Sequence, residues 1–234
     1  MSEPFLPSEE LRGTEAPRGT SGLFITFEGP EGSGKSTQIQ RVGAWFREQG
    51  RSCVITKEPG GTPISDRIRA ILLDSAATGM DAMTELLLYA ASRRQHVMEV
   101  IQPALQRGEV VFCDRYTDAT LAYQGYGRLL DLEKLQTLNQ WATGGVKPDL
   151  TLLFDLDEAT GLARAHARNA GMDVDEGRFE LEDLRFHRRV REGYLALLAA
   201  EPGRFAKIDA AGSIEEVFTR TVETLRERAP QLFS

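Results

Sequence analysis

Apolar residues along the chain fall into two alternating kinds of run. Short, near-continuous β-prone runs occur at Leu23–Phe27, Cys53–Thr56, Val110–Asp114, Leu150–Leu156 and Phe205–Ile208, each of strand length and flanked by turn-forming or polar residues. Between them apolar positions recur three and four apart, the helical spacing. Ile39, Val42 and Phe46 form the first such pattern, stopped by Gly50. A short helix follows at Asp66–Leu73 and a long one at Met83–Gln102, which Pro103 bends or restarts. Further helices are predicted around Leu132, Leu135, Leu138 and Trp141, over Glu158–Arg168 with Asp157 as N-cap, over Leu184–Ala200, and along Ile214, Val217, Thr221 and Leu225. Strands alternating with helices predict an α/β fold with a five-stranded parallel sheet covered by helices on both faces. Val110–Asp114, apolar almost throughout, is expected to be a central strand. Residues 1–22 are rich in Pro, Glu, Ser, Thr and Gly with no apolar face, and read as a disordered tail. The remainder, 23–234, has no internal repeat or linker and reads as one domain.

Immediately after the first strand stands Gly29-Pro30-Glu31-Gly32-Ser33-Gly34-Lys35-Ser36-Thr37, with the spacing G-x-x-x-x-G-K-S of a phosphate-binding P-loop. Glycines let successive backbone N–H groups converge on phosphate oxygens, Lys35 adds a point charge, and the following helix aims its positive dipole end at the same anion. The hydroxyl of Ser36 suits Mg2+, which keeps most of its waters and takes few protein ligands. Strand, glycine loop and helix in that order is the context the motif requires.

Other candidates cluster at strand ends, where open α/β sheets bind ligands. Lys57-Glu58-Pro59-Gly60-Gly61-Thr62-Pro63 is a loop after the second strand. Arg67 and Arg69 follow it, and for Arg67 a solvated helix face is an equal reading. Asp114 closes an apolar strand where a P-loop protein places its magnesium-side carboxylate, and Arg115 adjoins it. Thr117–Arg128, with its aromatic, glycine and amide residues, reads as a binding loop. Tyr89 and Arg93 are four apart on one helix face and could stack on and hydrogen-bond a flat ring, although the pattern alone favours Tyr89 as core and Arg93 as surface. Residues 169–182, polar and glycine-bearing around Arg178, read equally as a mobile lid or an ordinary surface loop.

The formal charge of −7 disfavours a nucleic-acid binder but allows a basic pocket on an acidic body. No run approaches the length of a membrane span, no signal-peptide core is present, and Cys53 and Cys113 have no metal or redox spacing. A reduced, cytoplasmic protein is expected, without membrane or nucleic-acid partners. Two classes then remain: a small-molecule phosphotransferase, or a nucleotide-hydrolysing switch or machine. Arg69, Arg93, Arg115 and Arg178 suit a kinase, which must neutralise donor and acceptor phosphates together; the chain has no guanine-reading N-K-x-D element.

The runs Phe27–Thr37, Glu58–Thr62, Asp114-Arg115-Tyr116 and Ala122-Tyr123-Gln124-Gly125 together resemble the bacterial thymidylate kinase family, from about Leu23 to Leu225. The resemblance implies transfer of the γ-phosphoryl of ATP to dTMP with Mg2+, by a homodimer built on the long helix from Met83. ATP would be held by Gly29, Pro30, Gly32, Ser33, Gly34, Lys35, Ser36, Thr37 and the lid Arg178. It implies a dTMP site of Glu31 on the 3′-hydroxyl, Arg69 and Arg115 on the phosphate, Tyr89 stacked on thymine, Arg93, Thr120 and Gln124 on the base, Tyr123 against the 2′ position, and Glu58. Lys35, Arg115 and Arg178 would be catalytic, and Ser36 and Asp114 would serve the metal. Lys57 stands where the family has arginine, Tyr89 where it has phenylalanine, and the stretch before Arg178 is acidic. Another P-loop nucleoside monophosphate kinase is the alternative within the same class.

Overall fold

In a computed structural model that describes residues 22–169 and 178–233, the five apolar runs form β1 (Phe24–Glu28), β2 (Cys53–Lys57), β3 (Val110–Asp114), β4 (Leu150–Asp155) and β5 (Phe205–Asp209). They make one sheet in the order β2-β3-β1-β4-β5, and every neighbouring pair is parallel. β1 therefore holds the middle, and β3, expected there, is its interior neighbour. Both are buried on two faces, so apolarity alone does not separate them. Register sets the strand ends: Phe27 and Lys57 each pair with Asp114, so the P-loop, the loop after β2 and the Asp114-Arg115 corner open at one edge.

Strand alternation divides the core. Ile25, Phe27, Phe112, Leu152 and Phe154 face Ile39, Val42 and Phe46 of α1 (Lys35–Glu48) and Val217 and Leu225 of α9 (Ile214–Arg228). On the other face Phe24, Val111 and Cys113 pack beneath Val97, Ile101 and Ala104, and Leu153 beneath Phe186, Val190 and Tyr194 of α8 (Leu184–Ala200). Each fully buried Val, Leu, Ile or Phe among them contributes about 1.5–3 kcal/mol. The tail call on residues 1–22 lies outside the described residues except at Gly22. Neither cysteine is in a disulfide, and among the described residues no helix is long and apolar enough to cross a membrane.

Helix ends follow local chemistry. α2 (Pro63–Leu73) starts three residues earlier than expected, because Thr62 accepts from Ser65 N–H and Pro63 takes the first turn, where no N–H is needed. α3 (Ala82–His96) is capped by Asp81 and passes through a π-helical segment, Val97–Ile101, into α4 (Gln102–Gln106) with Pro103 in its first turn; the wider turn absorbs the break that Pro103 imposes. Thr117–Arg128, expected as a loop, is instead α5 (Thr117–Thr120) continued by π-helical Leu121–Gly127. In α6 (Leu132–Thr143) Leu135 is buried but Trp141 is 73% exposed. A repeat of three falls short of a 3.6-residue turn, so the apolar positions wind round the helix and Trp141 reaches solvent. Asp157 caps α7 (Glu158–Asn169) through Thr160 N–H at 2.9 Å, as expected.

The P-loop rests on α7. A Cβ on Gly161 would lie 2.3 Å from Glu31 O, and one on Gly32, whose φ is +67°, would lie 1.9 Å from Gly161 O. Gly161→Ala is favoured by helix propensity by about 1 kcal/mol, yet it pushes the P-loop backbone outward. The expected outcome is a lower melting temperature and ATP binding weakened roughly tenfold or more (the cost of one displaced loop), read by thermal denaturation and ATP titration. An unchanged ATP affinity would dissociate the loop from α7.

Candidate active site

A cleft of about 770 Å³ opens at the carboxyl edge of β1, β2 and β3. At its floor the ammonium of Lys35 donates to Gly29 O at 3.0 Å, Pro30 O at 2.8 Å and Ser33 Oγ at 3.2 Å. All three N–H groups are thus oriented inside the glycine cradle. Burial, reinforced by the neighbouring positive charge of Arg115, pushes the Lys35 pKa down to about 8. Ser36 Oγ donates to Asp114 Oδ2 at 2.5 Å, which joins the first turn of α1 to the end of β3.

Arg115 is the hub. Its backbone is left-handed, φ 68°, a strained state that persists only where surroundings impose it. Its Nη2 donates to Glu31 Oε1 at 2.6 Å and Tyr123 OH at 2.9 Å, and its Nη1 to Gly29 O and Tyr194 OH, both at 3.2 Å. Tyr123 OH in turn donates to the same Glu31 oxygen at 3.0 Å. Glu31, an anion inside a phosphate-binding loop, therefore has its cation. Behind the hub, Tyr194 OH donates to Glu28 Oε2 at 2.7 Å, and Glu28 Oε1 accepts from Tyr116 N at 2.6 Å. Burial and the charge of Asp118 raise Glu28 to about 8.

The far side is built on α3 and α5. Arg93, expected at the surface from pattern alone, is 2% exposed. Its Nε donates to Glu58 Oε2 at 2.7 Å, Nη1 to Thr120 Oγ1 at 2.9 Å and Asn139 Oδ1 at 2.6 Å, and Nη2 to Tyr116 O at 3.0 Å. Glu58 Oε1 meets His96 Nδ1 at 3.0 Å, and the Arg93 charge holds its carboxyl below the ordinary range despite burial. Arg69 Nη1 donates to Pro59 O at 3.1 Å. Tyr89 and Tyr123 flank Phe179, with ring centroids 6.5 and 5.5 Å away.

All nine residues expected around an acceptor nucleotide line this cleft, together with Gly32, Gly34, Lys35, Ser36 and Thr37, while Gly29, Pro30 and Ser33 turn their groups to Lys35. Arg178, expected at the donor phosphates, is placed elsewhere in the protein alone. It does not line the cleft: its Nη2 pairs with Glu85 Oε2 at 2.7 Å and its Nε donates to Leu72 O at 2.5 Å. A guanidinium buried to 7% exposure needs a carboxylate beside it, and α3 supplies one. Residues 170–177, most of the expected lid, lie outside the described residues. Glu28, Glu85, His96, Asn139 and Tyr194 escaped sequence reading; each is a polar residue on an otherwise packed face, a signal visible only once the face is known.

With this geometry in place, the thymidylate kinase family model matches residues 27–221. The chain belongs to the thymidylate kinase family. It is 55% identical to the thymidylate kinase of Geobacter sulfurreducens over 90% of this chain and 99% of that one. It is 58% identical to that of Solidesulfovibrio magneticus over 83% and 94%. A crystal structure of thymidylate kinase from Ehrlichia chaffeensis superposes with a TM-score of 0.69 at 32% identity, covering 88% of this chain and 99% of that one. Thymidylate kinases are ATP-dependent phosphotransferases.

Lys35 supplies a pH test. Anionic phosphates favour the charged ammonium, whereas in the protein alone it is largely neutral above about pH 8. ATP binding at about pH 8.5 is expected to take up close to one proton, and at about pH 6.5, where Lys35 is already charged, close to none. Calorimetry in buffers of different ionisation enthalpy reads this, and Lys35→Met should abolish the pH 8.5 uptake. Equal uptake in that variant would assign the proton elsewhere.

Proposed function

We propose that this chain transfers the γ-phosphoryl of ATP to dTMP, giving dTDP and ADP, in dTTP synthesis. The observation that carries the reading is the hub: Arg115 bonds Gly29 and Glu31 of the P-loop and Tyr123 of the opposite wall with one guanidinium, so a donor phosphate and an acceptor phosphate would meet across it. In-line transfer requires the reacting atoms about 3–3.5 Å apart, and the loose transition state is stabilised by positioning and charge. Lys35 and the P-loop N–H groups would take the donor phosphates, and Arg115 and Arg69 the acceptor phosphate. No general base is assigned, since that phosphate is already anionic. Glu31 would hold the 3′-hydroxyl, Tyr123 would crowd the 2′ position, and Tyr89 would stack on the base between Arg93, Thr120 and Gln124.

The Ser36–Asp114 pair fits Mg2+: a hydroxyl and a carboxylate at the mouth of the cradle, with no cluster of three acidic, His or Cys ligands among the described residues, is the sparse donor set this ion takes. Bound with ATP, it would supply positive charge to offset that of the phosphates, with Ser36 and Asp114 as its protein ligands. We also propose a cytoplasmic homodimer. Ile64 and Ile71 on α2 and Met83 and Leu87 on α3 are each 44–53% exposed, on two helices that pack together, and such an apolar surface suits a second copy.

A coupled ADP-release assay with ATP and magnesium, run over dTMP, dUMP, UMP, CMP, dGMP and AMP, tests the reading. Turnover should be best with dTMP, reduced about 10–200-fold with dUMP, which lacks one methyl, and lowered by several orders of magnitude in Lys35→Ala. Steady ATP turnover without any acceptor would favour a hydrolase. Leu87→Glu should shift sedimentation from dimer to monomer, and a wild-type monomer would remove the dimer.

A further inference from the structure

A single carboxylate, Glu85, lies behind the base side of the cleft at 1% exposure. Its Oε2 accepts from Arg178 Nη2 at 2.7 Å and Arg128 Nη2 at 3.2 Å, while its Oε1 accepts from Gln124 Nε2 at 2.7 Å. A carboxylate flanked by two guanidinium groups accepts and does not donate, so it can take only the nitrogen end of the Gln124 amide. The carbonyl end of Gln124 is the one left for the cleft, which Gln124 lines. Its neighbours there are donors. Arg93 spends four of its N–H groups on Glu58, Thr120, Asn139 and Tyr116, which leaves the fifth of a guanidinium's donors. Thr120 Oγ1 accepts from Arg93, which leaves its O–H as a donor. Of these three residues Gln124 thus presents the acceptor and Arg93 and Thr120 the donors. Thymine and uracil offer the complement, an N–H between two carbonyls; cytosine offers an amino group and a bare ring nitrogen.

We propose that Glu85 is a positioning residue that sets the hydrogen-bond polarity of the base pocket through Gln124, and so excludes cytosine nucleotides. This rests on reading the cleft as a thymidylate site. Loss of the carboxylate frees the amide to turn over: in Glu85→Gln the partner offers both an N–H and a C=O, and Gln124 can present its nitrogen to the ligand.

The test compares kcat/KM for dTMP, dUMP and dCMP in the wild type, Glu85→Gln and Gln124→Leu. Both variants are expected to lower the dTMP:dCMP ratio about 10–100-fold, the discrimination of one reversed polar contact. The dTMP:dUMP ratio and the KM for ATP should hold, since neither depends on the amide's polarity. A folded Glu85→Gln that loses activity equally on all three acceptors would overturn the proposal. If that variant does not melt cooperatively, Gln124→Leu decides alone, and an unchanged dTMP:dCMP ratio in it is equally fatal. Wild-type protein inactive on dTMP would instead overturn the reading of the site, whatever the variants do.

Discussion

Everything at the cleft depends on Arg115 staying where it is. Its guanidinium is half-buried at the cleft, in contact with Glu31, Tyr123, Tyr194 and a P-loop carbonyl, on a backbone bent into the left-handed region. A charge withdrawn from water is costly unless its partners are in place, and removing one partner leaves the other exposed to that cost. The hub therefore works as a constraint. Because Glu31 is in the P-loop, Tyr123 is on the π-helical turn and Tyr194 is on α8, three segments distant in sequence are fixed relative to one ion. Lys35 sits close enough to feel the same charge, which adds to burial in lowering its pKa.

Two further carboxylates repeat this logic away from the phosphates. Glu58 orders Arg93 and His96 behind the loop after β2; Glu85 orders Arg128, Arg178 and Gln124 behind α3. In each case the acid is almost fully buried and holds one cleft-lining neighbour by a defined nitrogen, Arg93 Nε for Glu58 and Gln124 Nε2 for Glu85. Base recognition by oriented dipoles needs such backing, since an amide or a hydroxyl free to rotate selects nothing.

The sheet, its helices and the phosphate end were legible in the sequence because their causes are local. Strand alternation, the glycine spacing around Lys35, and Asp114 at the end of an apolar run are all read within ten residues. The Thr117–Arg128 segment misled because glycine and aromatic residues mimic a loop, while its conformation is a π-helix held by contacts to α6 and α8. Arg93 was legible as a functional candidate but not as a buried one, since its four acceptors come from Glu58, Tyr116, Thr120 and Asn139, spread over more than eighty residues. Glu85 carried no signal at all: an acid in the first turn of a helix is ordinarily a dipole partner.

Arg178 shows where residue type and position diverge. An arginine in a polar stretch between two helices suits phosphate capture, yet here its head is bound to Glu85 and to the carbonyl of Leu72 at the end of α2. To reach the donor phosphates it would have to leave a buried ion pair, and Glu85 would then keep only Arg128 to balance it. That exchange is unfavourable unless the phosphates return more than the pair gives up. Since Gln124 hangs on the same carboxylate, any movement of Arg178 changes the charge that holds the base-facing amide. Arg178 and the amide of Gln124 are thus joined through one acid.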